Sequence, residues 1–151
     1  MVSLPAMFVD DRVLMEVNQV RREARGTGAE APVERLLEIL FGASCRFAAY
    51  GTLQPGRQNH HWLDGVHGTW QPGFVHGHVR VIDGYPVLRL DPDGDRVPVG
   101  LLTSEQLPAH WPKLDELEGA NYRRSLVAVH GEAGPLAVAT IYDGAPRVAT
   151  R

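Results

Sequence analysis

The period of the apolar pattern changes near residue 44, and that change limits the possible folds more than any single residue does. Before it, apolar residues recur at helical spacing: Val9, Val13, Val17 and Val20, then Val33, Leu36, Leu37, Leu40 and Phe41. Asp10 and Asp11 open the first run, and Arg21, Arg22 and Arg25 close it, an order that suits the helix dipole. Gly26 and Gly28 supply its stop, Pro32 starts the second run and Gly42 ends it. Two amphipathic helices are expected over residues 1–43.

From residue 46 the period becomes two. Residues 46–50, 66–70, 74–82, 87–90 and 97–102 read as strands, with turns at Gly73, residues 84–86 and residues 91–94. Helical signals return over residues 104–117, where Leu107, Trp111, Leu114 and Leu117 share one side. Pro108 and Pro112 predict that this region splits into two short turns of helix. Residues 122–129 and 136–142 complete the strands around a turn at 131–134. Many short strands with few helices predict an α+β domain on a closed or half-closed sheet. The expected plan is a helical extension over 1–43, one compact domain over 44–145 and a frayed tail over 146–151.

Composition narrows the function classes. The 151 residues suit one compact domain, and 44% apolar with 22% charged residues is ordinary globular usage. A net charge of −3 argues against a nucleic-acid partner. No apolar run approaches the roughly 20 residues that cross a bilayer, so no membrane partner is expected. The first residues also lack the basic start and apolar stretch of a secretory signal. The single cysteine, Cys45, makes no internal disulfide and suits a reducing compartment, so a cytoplasmic location is expected.

Two segments ask for a chemical explanation. In the first, Tyr50-Gly51-Thr52-Leu53-Gln54-Pro55-Gly56, a strand ends in glycine and a sharp turn follows. Such a turn can point several amides into one concavity and hold a carboxylate or oxyanion without a charged side chain. Gly51 and Gly56 match G-x-x-x-x-G, yet Arg57 replaces the phosphate-loop lysine and Gln58 the magnesium-binding hydroxyl, which disfavours a nucleotide loop. A plain tight turn is the alternative. In the second segment, Asp115, Glu116 and Glu118 crowd the C-terminal turn of a helix, where the dipole disfavours negative charge. A carboxylate held there and partly buried gains proton affinity, as a general acid–base group requires. Glu118 lies at the edge of the Leu114–Leu117 stripe and is expected to turn inward, with Asp115 and Glu116 in solvent and Gly119 ending the helix in a left-handed conformation. The alternative is that all three acids form a solvated face.

Taken together, the strand–Tyr-Gly-Thr-Leu loop, the following sheet and Leu114-Asp115-x-x-Glu118-Gly119-x-x-Tyr122-x-Arg124 resemble the gamma-glutamylcyclotransferase-like family. Its bacterial members and the gamma-glutamylamine cyclotransferases are most similar, over roughly residues 47–142. Asn59-His60-His61-Trp62-Leu63 is similar to the short helical stretch that follows the loop in bacterial relatives. The resemblance implies a small mixed β-barrel with flanking short helices, here preceded by two N-terminal helices that the minimal family domain lacks. Those helices can cap the barrel in cis or mediate a homodimer. The resemblance further implies a substrate-binding loop of Tyr50, Gly51, Thr52 and Leu53, with Glu118 as the catalytic residue. Tyr122 orients the substrate or closes the pocket, or is a core tyrosine. The implied lyase or acyltransferase chemistry cyclises a γ-glutamyl amine or small peptide to 5-oxoproline and an amine, without cofactor or metal. Leu101 follows Gly100, where many bacterial relatives carry an acidic residue, so the leaving group stays open. The alternatives are a non-catalytic small-molecule-binding module on the same fold, or a γ-glutamyl amide hydrolase or acyltransferase.

The other candidates are weaker. His76 and His78 share a strand face and His60-His61 precede them, but no third ligand arrives at zinc-like spacing, so no metal site is expected. Cys45 is expected to be buried, Trp62, Trp70 and Trp111 to anchor the core, and Arg123 to sit in a surface ion pair.

Overall fold

The computed structural model describes residues 7–145; the expectation for the tail over 146–151 lies outside them. Two helices come first, α1 (Asp11–Ala24) and α2 (Glu30–Phe41). Six strands follow, β1 (Arg46–Ala49), β2 (Thr69–Ile82), β3 (Tyr85–Leu90), β4 (Asp95–Thr103), β5 (Tyr122–Gly131) and β6 (Gly134–Gly144). Helix α3 (Leu107–Glu118) separates β4 from β5. The strands lie in the order β3-β2-β4-β1-β6-β5, and β5 returns to pair with β2. Five strands therefore close a barrel, with β3 extending it beyond β2. Only β1–β6 is parallel; the other pairings are antiparallel. None of the described helices is long and apolar enough to cross a membrane.

Closure decides several local features. Residues 66–70 and 74–82 do not form two strands with a turn between them; β2 is one strand running through Gly73. A Cβ at Gly73 would meet Val129 Cγ1 at 2.8 Å and the His130 carbonyl oxygen at 3.0 Å, because β5 crosses β2 there. Glycine permits this contact and does not signal a turn. The actual β2–β3 turn is the two-residue Asp83-Gly84, with φ of 54° and 83°, one residue earlier than the sequence suggested. Strand β5 reads as a continuous apolar run because both faces are covered. Val127 and Val129 fill the barrel interior, while Leu126 and Ala128 lie beneath α1 and α2.

The N-terminal helices pack on the barrel of their own chain, and half of the expected α1 stripe does so: Val9 and Val17 pack into the interface cluster. Val13 and Val20 are 43% and 55% exposed, whereas Leu14 and Asn18 are buried. The contact is rotated because Asn18 acts as a strand edge: its Nδ2 donates to the Leu126 carbonyl at 2.9 Å and its Oδ1 accepts from the Leu126 amide at 2.8 Å. Buried backbone groups of β5 that no strand pairs are satisfied by this amide. On α2, Leu37 and Leu40 contribute to the same cluster and Phe41 is buried, but Leu36 faces solvent. Asp10 caps α1 by accepting from the Val13 amide at 3.0 Å.

Helix α3 is also continuous, although two short turns were expected. Pro108 falls in the first turn, where no intrahelical amide is needed, and Pro112 removes a single bond. Leu107, Trp111 and Leu114 are each at most 3% exposed, and their burial holds the helix together across that gap.

Candidate active site

Between the end of β1, the β2–β3 turn and the end of α3 lies a cavity of about 360 Å³. Its walls include Tyr50, Gly51, Thr52 and Leu53 from the glycine loop, with Glu118 and Tyr122 from the other side. All six residues singled out from sequence therefore meet around one hollow.

The loop is pinned from behind. The Asn59 amide donates to the Thr52 carbonyl and Asn59 Nδ2 to Thr52 Oγ1, both at 2.9 Å. His60 Nδ1 reaches the Leu53 carbonyl at 2.8 Å, and Leu53 is buried. Among the described residues, the amides of Thr52 and Leu53 donate to no protein acceptor. A rigid turn with amides left over suits a negatively charged oxygen.

Glu118 ends α3 at the cavity wall. Gly119 follows with φ of 72° and ψ of −166°, which is not the left-handed helical cap expected but an extended, positive-φ turn open to glycine. Burial pushes the Glu118 carboxyl up to about 7, against an ordinary 4.5. Near neutral pH it therefore holds its proton about half of the time. Because the folded state binds this proton more tightly than the unfolded chain does, the associated stability is complete below about 4.5 and is lost as pH rises through about 7. Urea denaturation at pH 5 and pH 8 should show wild-type protein losing about 2 kcal/mol or slightly more relative to Glu118→Gln across that interval. Equal pH dependence in the two proteins would mean that the carboxyl is solvated.

The tyrosines frame the cavity through bonds to the backbone. Tyr50 donates its hydroxyl to the Tyr142 carbonyl at 2.6 Å and accepts from the Leu88 amide at 3.2 Å, tying β3 to β6. Its hydroxyl is thus a structural tie, and burial raises its proton affinity far above the ordinary range for tyrosine. Tyr122 donates to the Pro86 carbonyl at 2.7 Å, which joins β5 to β3 across the cavity rim. Burial and the nearby Glu118 push its hydroxyl up to about 12.

Asp115, expected in solvent, keeps 41% of its side chain exposed but is also tied down. It accepts from Tyr142 at 2.6 Å and from Arg124 at 3.0 Å, so the end of α3 is tied to β5 and β6. Glu116 is exposed. Arg123 reaches inward to the buried Asp143 at 3.4 Å, contrary to the surface pair expected. Leu101 is buried in the barrel interior and does not line the cavity. Cys45 is half-buried, with Sγ donating to the Gly42 carbonyl at 3.0 Å.

Sequence reasoning missed Asn59, Asp83 and Asn121 as cavity-lining residues. The Asp-Gly hairpin signal at 83–84 was present for Asp83. Nothing in spacing marks which side of the barrel that hairpin overhangs. Sequence spacing likewise missed a cluster outside the cavity, Asp11, His76 and His130, because its members belong to three distant segments.

Comparisons with known proteins agree with this architecture. A family model described as gamma-glutamyl cyclotransferase, AIG2-like, matches residues 47–149. No curated protein matches by sequence. Among solved structures, an AIG2-like protein from Mus musculus (GGACT) aligns at 21% identity and a TM-score of 0.55, covering 70% of this chain and 82% of that one. A uropathogenic E. coli-specific protein, c4763, gives 17% identity and 0.55 over 70% and 83% of the two chains. Allophanate hydrolase from Kluyveromyces lactis gives 13% identity and 0.54, over 71% of this chain but only 18% of that one. At these identities the structural likeness establishes the barrel, while the family model covers most of the sequence. The chain belongs to the gamma-glutamyl cyclotransferase, AIG2-like family.

Proposed function

We propose that this protein cyclises the γ-glutamyl group of a γ-glutamyl amine or small γ-glutamyl peptide, with Glu118 as general acid–base. One observation carries the reading. A carboxyl whose proton affinity lies near neutrality shares a cavity with a pinned loop that has unused amides. In the reaction Glu118 takes a proton from the substrate's α-ammonium. The freed amine attacks the γ-carbonyl carbon of the same molecule, forming the ring C–N bond. The bond to the leaving nitrogen breaks, Glu118 returns a proton to that nitrogen, and the ring nitrogen gives up its second proton to the released amine, which departs as ammonium. The products are 5-oxoproline and an amine, with no net change in the enzyme. Nucleophile and electrophile are already joined, so the site's work is to fold the substrate and move protons. The loop amides receive either the α-carboxylate or the oxygen that becomes negative in the transition state.

The test is a panel of γ-glutamyl amines and γ-glutamyl dipeptides with mass-spectrometric product detection. The expected product is 5-oxoproline from at least one member. Linear glutamate would make the protein a hydrolase. Thermal stabilisation by panel members without turnover would make it a binding module.

A further inference from the structure

The barrel closes at one paired position, Phe74 opposite His130, and the Asp11–His76–His130 cluster lies at that seam. His76 comes from β2, His130 from β5 and Asp11 from the first turn of α1. Both imidazoles aim a nitrogen at the same carboxylate oxygen: His76 Nδ1 lies 3.0 Å and His130 Nε2 3.3 Å from Asp11 Oδ2. The three ligand atoms all fall within 4.8 Å of one another, and the two rings are 5.1 Å apart at 39°. The side chains of Asp11, His76 and His130 are 18%, 24% and 20% exposed, so the cluster is largely withdrawn from water yet reachable.

We propose that these three residues bind one divalent transition-metal ion, zinc-like in its preferences, which clasps α1 to the barrel seam. Four ligands placed tetrahedrally at 2.0–2.1 Å from an ion are separated by about 3.3–3.5 Å, and the two Asp11–histidine edges already approach that spacing. Two imidazoles and one carboxylate form a nitrogen–oxygen donor set that suits zinc, cobalt or nickel better than calcium or magnesium. Water would complete the fourth position. Phe74 stacks on His130 at 5.5 Å and Phe8 packs edge-on to it at 5.8 Å, which fixes one ligand ring in place. The ligands come from three elements, so the ion ties α1 to β2 and β5, and the site lies apart from the Glu118 cavity, whose lining includes none of the three.

Untagged protein stripped with chelator is titrated with Co²⁺, followed by visible absorption, and with Zn²⁺, followed by calorimetry. One equivalent is expected, with cobalt bands of tetrahedral intensity and a higher melting temperature. Affinity should fall at least tenfold in His76→Gln and in Asp11→Asn and stay unchanged in His61→Gln, an exposed histidine outside the cluster. Should those variants fold poorly, histidine NMR of wild-type protein decides: Zn²⁺ is expected to shift the His76 and His130 rings selectively. No saturable binding, binding retained in the His76→Gln,His130→Gln double variant, or shifts confined to other histidines would overturn the proposal.

Discussion

Replacing Glu118 by glutamine is expected to lower 5-oxoproline release by about 10²–10⁴-fold, the usual worth of a positioned acid–base group. Glutamine keeps the size and polarity of the side chain but cannot take a proton from the α-ammonium. The loss should therefore fall on kcat, with substrate affinity little changed, because the loop proposed to anchor the substrate is untouched. In wild type, kcat/KM should rise as pH passes through about 7, the value to which burial pushes the Glu118 carboxyl. This limb should be absent from any residual activity of the variant. A variant that retains wild-type turnover would remove Glu118 from the mechanism. Melting both proteins at the assay pH separates lost chemistry from lost fold.

Trp111→Ala is expected to cost about 3–5 kcal/mol of stability, since it empties a large buried site. Trp111 is 3% exposed and sits edge-on to Phe47 and Tyr142, with ring centroids 5.6 and 6.0 Å away. Its indole Nε1 donates to the Ser44 carbonyl at 2.7 Å, and the Arg124 guanidinium lies 5.5 Å from its ring centre. For a chain of this length the melting temperature should drop by roughly 10 °C. Activity should fall as well at temperatures where the variant is folded, because Trp111 anchors the helix that ends in Glu118. Trp111→Phe keeps the six-membered ring but loses the bond to Ser44 and part of the indole volume, an intermediate cost of about 1–3 kcal/mol. A loss below 1 kcal/mol for the alanine variant would mean that α3 is held by other contacts.

The short strands were legible because alternation and turn residues are local signals, and the glycine loop and Glu118 were legible because motif order survives in a linear string. Gly73 misled because a glycine that permits two strands to cross looks, in sequence, like one that makes a turn. Pro112 misled because helix propensity is local, whereas the burial of Trp111 and Leu114 that overrides it is not. Val13 and Val20 were placed inward by period alone, while the orientation of α1 is set by Asn18 bonding to Leu126, 108 residues away. Asp115 looked like one more solvated acid until β5 and β6 brought Arg124 and Tyr142 to it.

By itself the amino-acid string determined the class of fold, the two-helix preface and the pair of motifs that mark the family, because each is written in neighbouring residues. Closure of the barrel, the meeting of the glycine loop with Glu118, the upward push on that carboxyl and the gathering of Asp11 with His76 and His130 were decided only in three dimensions. Each depends on which distant segments exclude water from one another, and residue spacing does not contain that quantity.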